Sequence, residues 1–189
     1  QMLDLIIKNG QCYIDGELKN VDVAIKDGKI HKIGEISEKA KEVINAEDQT
    51  VLPGCIDTQT HFREPGSTDT EDLHSGSRAA IAGGITSVFE MPNTNPPTSN
   101  MEEFQRKLDL AKNRMYCNYA FYFGATADNA EDLASLRGLE GCCGIKLFAG
   151  SSTGNLLVAE EDDIDKVFQN SSKVVAVHSE DEAILNINK

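Results

Sequence analysis

The chain has 189 residues, 40% hydrophobic and 26% charged, with only 5 prolines, a composition that excludes disorder and low-complexity or collagen-like organisation. Its 18 basic and 31 acidic residues leave a net charge of −13, which repels phosphate backbones, so no nucleic-acid partner is expected. No apolar run approaches the ~18 residues of a membrane span, and Gln1-Met2-Leu3-Asp4 lacks the basic lead of a signal peptide. Neither a membrane partner nor export is expected.

Residues 1–51 read as short strands. Segments 3–8, 11–14, 21–26 and 29–33 are closed by Asn9-Gly10, Asp15-Gly16, Asp27-Gly28 and Gly34. Period-2 runs between such turns predict a small antiparallel β unit, the N-terminal part of a sandwich that needs strands from elsewhere. From residue 52 to 189 the rhythm changes. Apolar runs at 50–57, 85–91, 116–123, 144–148 and 173–178 alternate with helix-like stretches at 75–82, 100–113, 129–136 and 160–168. In the second of these, Met101, Phe104, Leu108 and Ala111 recur at helical spacing, and Asn100 is placed to cap. Glu160, Glu161, Asp162 and Asp163 fit the first turn of the last one, where the helix dipole favours negative charge.

This alternation predicts α/β units with a parallel sheet. His61, Arg63, Asn93, Lys146 and His178 all fall at or just after strand ends. In a (β/α)8 barrel those ends converge on one mouth. Such a barrel takes ~250 residues. Residues 52–189 are therefore read as its first part, apparently truncated, with about five βα units. Open sheet edges make a homo-oligomer the expected state. No glycine-rich dinucleotide fingerprint follows the first strand, which disfavours a doubly wound sheet. The cysteines, Cys12, Cys55, Cys117, Cys142 and Cys143, are odd in number and form no Cys-x-x-Cys pair. They are expected to be small buried hydrophobes in a reducing, cytoplasmic setting.

The stretch Leu52-Pro53-Gly54-Cys55-Ile56-Asp57-Thr58-Gln59-Thr60-His61-Phe62-Arg63-Glu64-Pro65-Gly66 resembles the opening of the amidohydrolase superfamily. Within it, residues 61–66 are similar to a dihydroorotase signature. Gly83-Gly84-Ile85-Thr86-Ser87, Met91-Pro92-Asn93-Thr94-Asn95-Pro96-Pro97-Thr98, Gly144-Ile145-Lys146-Leu147-Phe148 and Val177-His178-Ser179-Glu180 continue the resemblance in order. It implies a metal-dependent (β/α)8 barrel with a small β-sandwich. The implied reaction is reversible hydrolysis of the cyclic amide of dihydroorotate to N-carbamoyl-aspartate, in pyrimidine biosynthesis.

The resemblance further implies one or two Zn²⁺ ions held by His61, Lys146 and His178, with Glu180 behind His178. Family members usually carry a histidine where Gln59 stands. A carboxamide is a weaker donor, so Gln59 is either a poor ligand or a neighbour of ligands. Lys146 matches a lysine that becomes a carbamate. Its place in an apolar run makes a bare ammonium costly to bury, and beside a dication a bare ammonium would be repelled. Arg63 and Asn93 resemble a substrate clamp, the planar guanidinium gripping a carboxylate and the amide adding a directional hydrogen bond. The plain alternative for Arg63 is a surface pair with Glu64. The general-base aspartate and a further histidine ligand are expected beyond residue 189, so the chain is expected to lack the full catalytic set.

Two alternatives stay open. One is a hydantoinase or allantoinase acting on neutral cyclic ureides. The other, suggested by Gln59, is a degenerate scaffold associating with aspartate transcarbamoylase. His31 reads as surface, His74 as helix entry or support for the site, and residues 150–154 as a loop near the mouth.

Overall fold

The structure, a computed structural model, describes residues 2–150, 152 and 155–188. It divides into two compact units, Gln1–Pro53 and Gly54–Lys189.

The first unit contains β1 (Leu3–Lys8), β2 (Gln11–Ile14), β3 (Glu17–Asn20), β4 (Asp22–Lys26), β5 (Lys29–Gly34), β6 (Ala40–Asn45) and β7 (Thr50–Val51). They form one sheet in the order β5-β4-β1-β6 and another in the order β3-β2-β7. Asp15-Gly16 and Asp27-Gly28 turn β2 into β3 and β4 into β5. All four residues have positive φ, as the hairpin turn matching strand twist requires. Leu3, Ile6, Ala24 and Ile36 are buried together. The expectation of a purely antiparallel unit is corrected. β1 pairs with β6, and β2 with β7, in parallel. Turn dipeptides report local hairpins and are silent about strands that return from further along the chain.

In the second unit β8 (Cys55–Thr60), β9 (Ile85–Glu90), β10 (Asn118–Gly124), β11 (Cys142–Phe148) and β12 (Val175–His178) lie side by side in chain order, every pair parallel. Between them run α1 (Leu73–Ala82), α2 (Met101–Ala111), a 3₁₀ helix (Ala130–Leu136) and α3 (Glu161–Asn170). A short α4 (Glu182–Ile187) follows β12. The apolar run 50–57 is not one strand. Pro53 has no N–H for a ladder, and the run divides there into β7 and β8, one in each unit.

Asn100 caps α2 as expected, its side-chain oxygen accepting from Glu103 N–H at 2.9 Å. The stretch expected as a helix near residue 130 is 3₁₀. The acidic run opens α3 as expected. The core holds Phe104 from α2, Leu133 from the 3₁₀ helix and Val167 from α3. These pack with Val88, Phe121, Phe123, Ile145 and Leu147 of the strands. Each such large side chain contributes about 1.5–3 kcal/mol by leaving water.

All five cysteines are free. Cys12, Cys117 and Cys142 are buried, and burial pushes the half-buried Cys143 thiol up to about 12. Cys55 departs from the expectation of burial: it opens edge strand β8 and is exposed. Of the loop expected at 150–154, only Gly150 and Ser152 are described; the rest lies outside the described residues. Among the described residues no helix is long and apolar enough to cross a membrane.

Candidate active site

The site begins where β8 stops being regular. Its register against β9 shifts between Asp57 and Thr60, and Gln59 N–H turns to Asp57 Oδ1 at 3.0 Å. Such an irregularity re-aims the side chains that follow it. The Gln59 side chain is exposed. The β8–β9 ladder closes with Met91 N–H donating to Thr60 O at 2.9 Å. The next residue is His61.

His61 is half-buried, and its Nδ1 lies 2.9 Å from Asn93 Oδ1. A carboxamide oxygen only accepts, so Nδ1 carries the proton and Nε2 keeps a free lone pair. That is the tautomer a metal-binding imidazole uses. Burial holds the His61 pKa below its ordinary 6.5, and the positive charges of Arg63, Lys146 and Lys107 act the same way against the Asn93 hydrogen bond. The ring is therefore neutral at physiological pH.

Arg63 stands just beyond, exposed and in the left-handed region at φ 62°. Together with Pro65, Ser67, Asn93, Asn95 and Pro97 it lines a cleft of about 480 Å³. The two loops forming this cleft are tied by Asn95 N–H donating to Pro65 O at 3.0 Å. They touch at Gly66, where φ is 115° and a Cβ would come within 2.7 Å of Asn95. The surface pair of Arg63 with Glu64 does not form. Glu64 is buried and takes the Arg114 guanidinium at 2.7 and 3.2 Å, and also Leu73 N–H at the start of α1 at 2.8 Å. Among the described residues Arg63 makes no ion pair, so its fork is available to a ligand.

Lys146 sits on β11 between Gly124 and Ala176, only 4% exposed. Its Nζ lies 4.9 Å over the Phe148 ring, and no carboxylate pairs with it among the described residues. Burial lowers its proton affinity. His178 ends β12 opposite Phe148 in the register, its Nε2 2.7 Å from Glu180 Oε2. The structure thus gathers His61, Asn93 and Arg63 at the ends of β8 and β9, and Lys146 and His178 around Phe148 at β11 and β12. Among the described residues, no three histidine, cysteine or carboxylate side chains alone are grouped to hold a metal.

His74 belongs to α1 and packs edge-on to Tyr116 with ring centroids 5.2 Å apart; His31 is exposed on β5. Four residues that brace this region escaped the sequence reading in that role: Glu64, Arg114, Glu90 and Lys107. Two of them left a trace. Glu90 interrupts the apolar run of β9, and Lys107 occupies the buried face of α2 one turn after Phe104.

The amidohydrolase family profile matches residues 50–179, which include His61, Arg63, Asn93, Lys146 and His178. The chain belongs to the amidohydrolase family. It is 37% identical over 96% of its length to a dihydroorotase of Methanosarcina mazei, and covers 40% of that protein. It is 40% identical over 78% of its length to an allantoinase of Salmonella choleraesuis, and covers 33% of it. Among solved structures it superposes on an L-hydantoinase from Arthrobacter aurescens with a TM-score of 0.89 at 28% identity, covering 98% of this chain and 43% of that one. The chain spans about two fifths of the length of such amidohydrolase relatives. Its curled parallel sheet is the first part of the amidohydrolase (β/α)8 barrel.

Proposed function

We propose that this amidohydrolase is of the dihydroorotase type, with the chain supplying the substrate clamp and most of the metal donors for opening a carboxylate-bearing cyclic amide. The observation that carries this reading is the shared cleft of Arg63 and Asn93 beside His61. A planar cation without an ion pair among the described residues, next to a candidate metal ligand, suits an anionic substrate, above all on a chain of net charge −13.

The donors fit a dication on chemical grounds. His61 is neutral with Nε2 free, and His178 is hydrogen-bonded to a carboxylate, the usual partner of a ligating imidazole. Lys146 is buried with no counter-ion among the described residues, and its depressed proton affinity favours the neutral amine that adds CO₂ to become an anionic oxygen donor. His61, His178 and the Lys146 carbamate would hold Zn²⁺, with Gln59 a weaker oxygen donor at best. When bound, zinc supplies a polarised amide carbonyl and a water acidic enough to ionise near neutral pH. Asn93 keeps the His61 ring in one tautomer, while Arg63 fixes the substrate carboxylate and so the orientation of the ring amide.

A second reading, an allantoinase or hydantoinase, draws on the 40% identity to an allantoinase and the likeness to the L-hydantoinase. Neutral ureides have no carboxylate for Arg63. Titration calorimetry of the zinc-loaded chain with dihydroorotate, hydantoin and allantoin separates the two. Dihydroorotate is expected to bind best and to lose that advantage in Arg63→Ala. Tighter allantoin binding, indifferent to Arg63→Ala, would establish the second reading instead.

A further inference from the structure

Glu90 closes β9, and its side chain meets Lys107 of α2 at 2.6 Å, each 1% exposed. Taking two charges out of water costs more than their contact returns unless their remaining hydrogen-bonding valences are also filled. Two apolar side chains of the same volume would hold sheet and helix together without that cost. What apolar groups cannot do is bond to backbone. Here both partners do so: Glu90 Oε1 accepts from Phe62 N–H at 3.2 Å, and Lys107 Nζ donates to Met91 O at 3.0 Å.

The place of these two bonds matters. The β8–β9 ladder ends at the Met91 N–H to Thr60 O bond, and beyond it the strands diverge. Phe62 N–H and Met91 C=O are the next groups in line and have lost their strand partners. A buried backbone group left unpaired is costly, and the ion pair satisfies both. Phe62 directly follows His61, and Met91 lies two residues before Asn93. One continuous path therefore runs from Phe62 N–H through Glu90 and Lys107 to Met91 O, flanking the 2.9 Å bond between His61 and Asn93.

We propose that the buried Glu90–Lys107 pair is a positioning device that pins the backbone on both sides of the His61–Asn93 hydrogen bond, and so sets the His61 ring. It is not there to stabilise the sheet. The inference rests on His61 being a site residue, but it concerns ring placement and is read without metal or substrate. Absence of zinc binding by the parent chain would remove the proposed function and leave this test intact.

The experiment compares the parent with Glu90→Met/Lys107→Met, which removes both charges and both backbone contacts, and with Glu90→Gln/Lys107→Met, which keeps an acceptor for Phe62 N–H. Thermal unfolding reports stability. Nitrogen-15 shifts of the His61 ring report its tautomer, and hydrogen exchange reports the Phe62 amide. The Met/Met chain is expected to fold, with a Tm lowered by no more than the loss of the two backbone hydrogen bonds accounts for, to exchange Phe62 N–H about tenfold faster or more, and to lose the single His61 tautomer. The Gln/Met chain is expected to keep the tautomer and most of the Phe62 protection. Parent-like His61 shifts in the Met/Met chain would overturn the proposal. So would failure of either double variant to fold, since the pair would then be a support of the sheet itself.

Discussion

Gly76 lies buried in α1 against the ring of Phe62, and replacing it with alanine sets two effects in opposition. Alanine favours a helix interior over glycine by about 1 kcal/mol. The new Cβ, however, would sit 2.4 Å from Phe62 Cδ1, 2.7 Å from Cγ and 2.8 Å from Cε1. Cγ is one bond from Phe62 Cβ, so the clash cannot be relieved by swinging the far edge of the ring. Comfortable carbon contacts begin near ~3.5 Å, so the whole side chain must retreat by roughly 1 Å. Its backbone cannot follow freely, because Phe62 N–H is held by Glu90. Overpacking costs about 1–3 kcal/mol, and a pinned residue belongs at the upper end. The net is a destabilisation of about 2 kcal/mol, or about 4–8 °C in Tm for a chain of this size. Thermal unfolding followed by circular dichroism measures it directly. A Tm equal to or above that of the parent would refute the reasoning, since propensity alone would then govern and Phe62 would have room to move.

Lys146→Met removes a buried amine that has no counter-ion among the described residues. In metal-free, CO₂-free buffer it should raise Tm by about 2–4 °C, corresponding to about 1 kcal/mol of recovered desolvation, and zinc retention should be abolished. A lower Tm would mean that the amine is stabilised by its surroundings. Arg63→Lys keeps the charge but loses the planar fork. Dihydroorotate should bind about tenfold more weakly or worse, with hydantoin unaffected, and equal losses on calorimetry would contradict a carboxylate contact. Because burial lowers the His61 pKa in the fold, the unfolded chain takes up this proton first as the pH drops. The His61 contribution to stability is therefore present above about 6.5 and lost as the pH falls from there towards the lower folded value. Urea midpoints between about pH 7.5 and 5.5 should show this slope in the parent and a flatter one in His61→Asn. Identical profiles would rule His61 out as its source.

Much of this was legible in the residues because it is local. Asn100 ahead of Glu103, and Asp27-Gly28 between alternating runs, state their structures within a few positions. The strand ends bearing His61 and His178 were equally plain, since a polar residue that closes an apolar run belongs at a sheet rim, whereas Lys146, expected at a strand end, lies inside β11 two residues before its close. What the sequence kept back depends on distant partners. β6 returns beside β1, and Cys55 is exposed because its strand lies at an edge of the sheet. Glu64 passes over its neighbour Arg63 for Arg114, fifty residues away. No periodicity records that choice, because it is made by a backbone turn at Arg63 and by the start of α1. The pairing of Glu90 with Lys107 is intermediate: each is an anomaly in its own element, and only the packing of α2 on β9 shows that one anomaly answers the other.

The strands of the second unit start at residues 55, 85, 118, 142 and 175 and lie in that same order across the sheet. Each new strand docks on its immediate predecessor and waits for nothing later in the chain. Closure distances stay short and similar from one step to the next, which favours quick formation over the search that remote pairings demand. A ribosome releasing this polypeptide would present the strands in docking order, β8 and β9 first. The cleft of Arg63 and Asn93, lying between the first two strands, would take shape before Lys146 emerges, and His178 would arrive last. Assembly of the site is thereby written as a timetable, with the half that carries Arg63 and Asn93 in place ahead of the rest.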